Sequence, residues 1–257
     1  MKRLLPVIFI SILIFSQIQG QNFNKFAVVV GCADYQRSDL DLRYPDDDAY
    51  RFYAYLKSCE GGGIPDDHIA VLVDEAATKN NIINTMDKIF SKASPEDMLI
   101  FFYTGHGAPG AFCPTDITDD YSTFLQHDEV KAIFKKYPAK YKLCMADACF
   151  SGSIYKGTPS PSTSSSSSAS SETSIIIIMS SAEDETSQEN PKMRQGAFAY
   201  YLIKGLKGSA DRNDDKIITL EEIFPYVKAN VMNFTENRQT PFIEGQASRE
   251  MPIGILK

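Results

Sequence analysis

Residues 98–107 read MLIFFYTGHG, and residues 141–152 read YKLCMADACFSG. Each segment begins with an apolar run that predicts a buried strand, and each ends in residues that can do chemistry. His106 lies between two glycines after the first run, and Cys149 follows the second. The two residues are 43 positions apart, so they can meet only in the folded chain. A cysteine with an imidazole beside it can act as a nucleophile, because the imidazole can accept the proton of the thiol.

Four further apolar runs bring the number of predicted strands to six. The six are Phe26 to Val30, Ile69 to Val73, Met98 to Tyr103, Tyr141 to Met145, Ile175 to Met179 and Ile253 to Leu256. The clearest of them lack polar alternation, which is typical of strands buried on both faces of a parallel sheet. Between the runs, helices are predicted over Asp46 to Lys57, Lys79 to Ser91, Asp128 to Lys136, Phe198 to Lys207 and Leu220 to Val231. The alternation predicts an α/β three-layer sandwich, with a mostly parallel six-stranded sheet and helices on both faces.

Residues 1–20 have the layout of a secretory signal peptide. Lys2 and Arg3 precede an apolar run from Leu4 to Phe15, and Gly20 supplies a small residue at the expected cleavage point. The run is short for a membrane span, and an uncleaved anchor is the alternative interpretation. We therefore expect a secreted or periplasmic protein without stable membrane insertion after signal removal. Its domain would cover residues 21–257.

The chain is acidic, and one internal segment has a strongly biased composition. Its net charge is −7, which becomes −9 once Lys2 and Arg3 are removed. This charge disfavours contact with nucleic acid phosphates, so no nucleic acid partner is expected. Residues 158–174 are almost all serine, threonine and proline, which predicts a flexible surface loop inside the domain.

Three histidines and five cysteines are the candidates for the catalytic roles. His68 lies in a predicted loop and His127 begins a polar helix, so only His106 follows a buried strand. An odd number of cysteines in a secreted protein leaves at least one thiol unpaired, and Cys149 is the candidate. Each residue alone has a simpler explanation, His106 as a turn residue and Cys149 as a small buried side chain. Disulfide pairing stays open for the remaining cysteines, which are Cys32, Cys59, Cys113 and Cys144.

In their order and context, the two segments resemble those of the caspase-like cysteine peptidases, and the metacaspase branch most. The resemblance runs from about residue 26 to residue 255. It implies a caspase-like fold and a cysteine endopeptidase in which His106 and Cys149 form a catalytic dyad. It also implies that the backbone N–H groups of Gly107 and Cys149 form the oxyanion hole. No cofactor is required by this chemistry.

The loop that follows the cysteine is often cut during maturation in caspase-like peptidases. Lys156 at its start, and Lys192 or Arg194 beyond the fifth predicted strand, are therefore candidate sites of self-processing. An uncut linker is the alternative.

The same resemblance identifies three residues of a primary specificity pocket. Asp147 stands two residues before the cysteine, Asp48 falls in an acidic segment after the first strand, and Thr104 matches a small hydroxyl residue. Two carboxylates that face one cavity select a guanidinium or an ammonium group. The expected substrates are proteins or peptides with Arg or Lys at the cleavage position. For Asp48, a solvated acid in the first turn of a helix is the alternative.

Residues 211–222 resemble a calcium-binding EF-hand loop. The candidate ligands are Asp211, Asn213, Asp215 and Glu222, but Lys216 occupies the position of the required glycine. A polar loop that caps the helix from Leu220, with Thr219 at the N-cap, is the favoured alternative.

Many metacaspases bind calcium at a different acidic cluster. The region around Asp116, Asp119, Asp120 and Asp128 is acidic here, but His127 and Lys156 fall near positions where that cluster has carboxylates. Calcium is therefore an optional cofactor in this interpretation.

Two other classes of function are compatible with the sequence. One is a catalytically silent caspase-fold protein that binds or scaffolds, although the intact Cys–His pair argues against it. The other is a calcium-binding adhesion module, which rests on residues 211–222 alone.

Overall fold

A computed structural model describes residues 23–149, 175–181, 189–190, 194–245 and 248–256. The predicted signal peptide and the serine-rich segment 158–174 lie outside the described residues. Twelve strands are assigned: β1 Lys25–Gly31, β2 Ile69–Val73, β3 Met98–Ala108, β4 Ala111–Phe112, β5 Leu125–Gln126, β6 Tyr141–Cys149, β7 Ile175–Met179, β8 Glu189–Asn190, β9 Gln195–Gly196, β10 Ile217–Thr219, β11 Phe242–Glu244 and β12 Pro252–Ile255. The five α-helices are α1 Pro45–Lys57, α2 Lys79–Phe90, α3 His127–Lys136, α4 Ala197–Lys204 and α5 Leu220–Phe234.

The main sheet has the strand order β11-β7-β6-β3-β1-β2. The pairs β1–β2, β1–β3, β3–β6 and β6–β7 are parallel, and β11 runs antiparallel to β7. The short strands β4 and β5 extend the sheet beyond β3. The predicted α/β sandwich with a mostly parallel sheet is therefore confirmed.

The sixth predicted strand is present as β12, but its predicted place in the main sheet is wrong. The run from Ile253 to Leu256 does not join the main sheet, because β12 pairs with β10 in a separate two-stranded sheet. The antiparallel edge position belongs instead to β11, which pairs with β7. This strand has three residues and is only partly buried, so it lacks the continuous apolar run that identifies the inner strands.

Two hydrophobic clusters cover the two faces of the sheet. Alternate residues of a strand point to opposite faces, and in β3 Phe101 belongs to one cluster and Phe102 to the other. Helices α2 and α3 contribute to the first cluster, and α1, α4 and α5 to the second. The ring of Phe52 from α1 stacks on Phe102 with centroids 4.4 Å apart. This arrangement confirms helices on both faces.

The predicted helices are all present, with small differences at their ends. The largest difference is in the predicted segment from Phe198 to Lys207. Here α4 ends at Lys204 and a five-residue π-helical turn follows. Pro225 lies inside α5, which continues to Phe234. No helix among the described residues is both long enough and apolar enough to cross a membrane.

The carboxyl ends of β1, β3 and β6 lie side by side at one edge of the sheet. Gly31, the last residue of β1, is in register with Thr104, which is in turn in register with Asp147 of β6. In open α/β sheets, ligands bind at this edge. The residues of the predicted site are therefore expected at this edge.

Candidate active site

The predicted dyad consists of direct neighbours in the sheet. His106 and Cys149 are paired residues at the ends of the parallel strands β3 and β6. Only the backbone of Cys149 is described, and its position follows from this register. Adjacent strands lie about 4.8 Å apart, so an imidazole on one strand can reach a thiol on the next. The sheet thus brings together two residues that are 43 positions apart in the sequence.

A backbone carbonyl orients the ring of His106. Its Nε2 lies 2.9 Å from the carbonyl oxygen of Leu40. A carbonyl can only accept a hydrogen bond, so Nε2 carries the proton and Nδ1 is left as the basic nitrogen. The ring is partly buried, and this burial lowers the pKa of His106 more than the bond to Leu40 raises it. His106 is therefore neutral at pH 7, as a general base has to be.

Sequence reasoning missed Leu40 because a main-chain acceptor has no residue signature. Leu40 ends a short 3-10 turn, Ser38–Leu40, in the connection between β1 and α1. No acidic side chain was identified as the third member of the site, and in the structure the carbonyl makes that contact.

The three predicted pocket residues also come together. Thr104 and Asp147 are paired neighbours on β3 and β6, two positions before His106 and Cys149. Asp48 comes from the first turn of α1, and only 2% of its surface is exposed. The interpretation of Asp48 as a solvated acid is therefore wrong. Because strand residues two apart point to the same face, His106 lies on the same face of the sheet as Thr104 of the pocket.

The N-terminus of α4 binds both carboxylates. Oδ2 of Asp48 accepts a hydrogen bond from Gly196 N at 2.8 Å, and Oδ2 of Asp147 accepts one from Ala199 N at 3.1 Å. The helix dipole adds a favourable field for negative charge at this end. A Cβ on Gly196 would collide with the carboxylate of Asp147 and lie 3.1 Å from Asp48 Oδ2. Gly196 is therefore a residue of the site.

The two carboxylates perturb each other. Burial, and then the charge of Asp147, raise the pKa of Asp48 well above its ordinary value. Oδ1 of Asp48 is buried and accepts no hydrogen bond from the part of the chain that the structure describes. A buried acceptor of this kind is costly unless a donor reaches it.

Two buried serines hold the backbone beside Cys149. Ser180 Oγ accepts a hydrogen bond from Ala148 N at 3.0 Å and lies 3.2 Å from Ala148 O. Ser181 Oγ donates to Ala148 O at 3.1 Å. These serines directly follow β7.

The amide of Gly107 is not used in pairing with β4. Cys113 N donates to His106 O at 3.0 Å, which makes His106 and Cys113 a hydrogen-bonded position of the β3–β4 ladder. Hydrogen-bonded and non-hydrogen-bonded positions alternate in an antiparallel pair. The next pair, Gly107 with Phe112, is therefore non-hydrogen-bonded.

The other histidines and cysteines lie away from this edge or are inert. Burial lowers the pKa of His127 to about 4, and its ring packs on Phe112. Cys32, Cys59, Cys113 and Cys144 are free thiols, and only Cys59 is exposed. Burial raises the pKa of Cys144 to about 12, so its thiol is unreactive, as expected from the sequence.

Residues 211–222 form a turn and a helix cap. Glu222 accepts hydrogen bonds from Thr219 N at 3.0 Å and Arg212 N at 3.2 Å, and it completes the capping box of α5. Asp211 accepts from Lys216 N, and Asp215 from Ile217 N. The predicted N-cap at Thr219 is confirmed. These carboxylates hydrogen-bond to backbone N–H groups of the loop itself.

The second acidic region is similarly occupied by local contacts. Asp116 accepts from Lys79 N, Asp119 pairs with Arg37 at 2.7 Å, and Asp120 accepts from Ser122 N. Within the described segments, no group of three or more acidic, histidine or cysteine side chains is arranged to hold a metal ion.

The chain has curated relatives that are named as proteases. It is 22% identical over 263 residues to a probable protease of a Desulfuromonadales bacterium, which covers 86% of this chain and 32% of that protein. It is 29% identical over 120 residues to metacaspase-2 of Trypanosoma brucei brucei, which covers 38% of this chain and 34% of the metacaspase. The chain thus spans about a third of the length of these relatives.

Solved structures share the fold. A protein of Geobacter sulfurreducens matches with a TM-score of 0.64 and 19% identity, covering 91% of this chain and 100% of that chain. Caspase-1 of Spodoptera frugiperda matches with a TM-score of 0.65 and 16% identity, covering 91% of each chain. The family model of the caspase domain, peptidase family C14, matches residues 24–251. The protein therefore belongs to the caspase-domain family of the C14 peptidases.

Proposed function

We propose that the protein is a cysteine endopeptidase that cleaves peptide bonds after Arg or Lys through the dyad Cys149 and His106. The observation that carries the proposal is the pairing of these two residues at the ends of β3 and β6. The fixed tautomer of His106, with Nδ1 left as the base, supports it.

In the proposed reaction, the thiol of Cys149 gives its proton to Nδ1 of His106 and the sulfur attacks the scissile carbonyl carbon. The electron pair of the C=O bond moves to oxygen. The imidazolium then gives the proton to the leaving nitrogen as the C–N bond breaks, which leaves a thioester. Water hydrolyses the thioester with His106 as base, and the thiol is restored. Leu40 accepts from Nε2 throughout, so the ring keeps its orientation.

The oxyanion of each tetrahedral intermediate would be bound by the N–H groups of Gly107 and Cys149. Such donors contribute most when they are fixed before the reaction, and the serine contacts to Ala148 fix the backbone beside Cys149.

The distance from the dyad to the acidic pair fits a long basic side chain. Asp147 precedes Cys149 by two residues on one strand, a separation of about 7 Å. Arg and Lys carry their charge at the end of a stem of three or four methylenes, so that charge would arrive beside Asp147 and Asp48. A guanidinium would also supply the donor that Asp48 Oδ1 lacks among the described residues. Thr104, buried and paired with Asp147, would line the same pocket.

A panel of fluorogenic peptides tests this specificity. Peptides that end in Arg, Lys, Asp or Leu at the cleavage position are offered to the protein, with Cys149→Ala as control. We expect kcat/KM for Arg to exceed that for Asp by roughly 10³-fold or more, because an uncompensated charge is excluded from a buried acidic site. Cleavage after Asp would keep the peptidase and contradict the pocket. No cleavage of any peptide would favour the catalytically silent scaffold.

The same preference makes Arg194 a candidate site of self-processing. Its side chain is exposed and its backbone has a positive φ of 50°. Its guanidinium lies 3.4 Å from Oδ2 of Asp47. Lys156 and Lys192 lie outside the described residues. Intact mass measured on the wild type and Cys149→Ala would reveal the cut.

Cleavage of Arg substrates should become slower as pH falls because Asp48 in the pocket, and not His106, gains a proton. The pKa of Asp48 is raised, so its carboxyl gains a proton, and the pocket loses charge, at a pH where ordinary carboxyls are ionised. The pKa of His106 is lowered, so its imidazole gains a proton only at a lower pH than an ordinary histidine. As pH falls from 7, KM for Arg peptides should rise first.

The matching measurement is the rate at which uncharged iodoacetamide alkylates Cys149, followed over the same pH range. Because this reagent does not use the pocket, its acid limb should lie at lower pH than that of peptidase activity. If activity and alkylation fall at the same pH, protonation of the dyad and not of Asp48 explains the loss of activity.

A further inference from the structure

The backbone of His106 is held from both sides by tyrosine hydroxyls. His106 N donates a hydrogen bond to Tyr35 Oη at 2.9 Å, and Tyr103 Oη donates to His106 O at 2.8 Å. Tyr103 Oη also lies 2.7 Å from Cys113 O, so its single proton is shared between two carbonyls.

Neither tyrosine can take part as an acid or a base. Both are buried, and this burial raises the pKa of Tyr35 and of Tyr103 well above the ordinary value. Both hydroxyls are therefore protonated and neutral near pH 7. Their hydroxyls can only position the groups they contact.

Gly105 shows how closely the hydroxyls approach the chain. Its φ of 149° lies in a region that L side chains rarely adopt, and a Cβ there would lie 2.9 Å from Tyr103 Oη and 3.0 Å from Tyr35 Oη. A side chain at position 105 would therefore displace the tyrosines. The glycine before His106 serves this close approach as well as the turn itself.

Tyr35 belongs to the same connection that orients the imidazole. Its N–H donates to Asp41 Oδ1 at 2.9 Å, and Asp41 directly follows Leu40, whose carbonyl accepts from His106 Nε2. The segment 35–41 thus holds His106 at two points, the main-chain nitrogen and the ring. The rings of Tyr35 and His106 are also in contact, with centroids 5.3 Å apart.

We propose that Tyr35 is a positioning residue for His106: its hydroxyl fixes the main chain of the histidine relative to the Leu40 carbonyl, so that Nδ1 stays aligned with Cys149. Tyr103 holds the opposite side of the same peptide. This inference rests on the proposed function, because the alignment matters only if His106 is the base. Misplacement of a reacting group by about 1 Å can reduce the rate by about a hundredfold.

The test compares Tyr35→Phe with Tyr55→Phe. Both keep the aromatic ring and remove one buried hydroxyl, but Tyr55 lies on α1 and its Oη donates to the Glu60 carbonyl at 3.4 Å, not to the backbone of His106. For Tyr35→Phe we expect kcat on Arg peptides to fall roughly tenfold to a hundredfold with KM within twofold. Alkylation of Cys149 by iodoacetamide should slow in parallel, while Tyr55→Phe keeps both rates.

Each outcome decides one of the two questions. Wild-type rates in Tyr35→Phe would overturn the positioning role and leave the peptidase untouched. The positioning role would also be overturned if kcat and KM of Tyr35→Phe changed together and its melting temperature fell as much as that of Tyr55→Phe. If the wild type itself cleaves no peptide and its Cys149 is alkylated no faster than Cys59, the proposed function fails instead.

A second variant keeps the proposal testable if Tyr35→Phe does not fold. Asp41 is exposed, so Asp41→Ala removes the acceptor of Tyr35 N–H without opening a cavity in the core. It should show a smaller fall of kcat, about threefold to tenfold, again with KM retained. An unchanged kcat in Asp41→Ala would count against the positioning role of Tyr35.

Discussion

Cys149→Ala is expected to abolish peptide cleavage, and His106→Ala to lower kcat by roughly 10³-fold to 10⁴-fold. Without the imidazole, no described side chain at this edge can take the thiol proton at neutral pH. The two residues act as one unit because they are paired at the strand ends. The double variant should therefore be no slower than Cys149→Ala alone. The measurement is kcat and KM on an Arg peptide, with folding checked by circular dichroism.

His68→Gln is the matched control for His106→Ala. His68 is partly buried in a short turn and lies 3.8 Å from Asp67, far from the carboxyl ends of the strands. It should keep kcat within twofold of the wild type. Activity of His106→Ala within tenfold of the wild type would show that a different group is the base.

The central part of the fold and the dyad could be predicted because they depend on local signals. Continuous apolar runs identify inner strands wherever they occur, and residues that end such strands meet at one edge of a parallel sheet. His106 and Cys149 could therefore be brought together from the sequence. The edge strand β11 could not be found in this way, because its three residues are only partly buried and the more apolar run at 253–256 competes with it.

The contacts that tune the site were beyond sequence reasoning for a different reason. Leu40 acts through its carbonyl and Gly196 through its amide and its missing Cβ, and neither role depends on a reactive side chain. Tyr35 has such a side chain, but its hydroxyl reaches a residue 71 positions away. The burial of Asp48 follows from α4 packing against the start of α1, a contact between distant segments.

Loss of either pocket charge should cost more than any other change outside the dyad. For Asp147→Asn and Asp48→Asn we expect kcat/KM on Arg peptides to fall about 10²-fold to 10³-fold, since removal of one partner from a buried charge pair is costly. Peptides with an uncharged residue at the cleavage position should lose far less. Asp47→Asn is the matched control, because Asp47 is the neighbour of Asp48 on α1 and forms an ion pair with the exposed Arg194 at 3.4 Å. It should keep kcat/KM within threefold.

The stability of Asp48→Asn separates a substrate pocket from a structural helix cap. In the folded protein the pKa of Asp48 is raised, so ionisation is more costly folded than unfolded. The stability of the wild type should therefore decrease as pH rises above the ordinary pKa of aspartate, and should level off above the raised value. Asparagine keeps an oxygen for Gly196 N and removes the charge, so Asp48→Asn should melt higher than the wild type at pH 8 and differ less at pH 5. A variant that melts higher yet no longer selects Arg identifies a carboxylate kept for substrate binding at a cost in stability. A variant that melts lower and keeps its selectivity would instead make Asp48 a cap of α4.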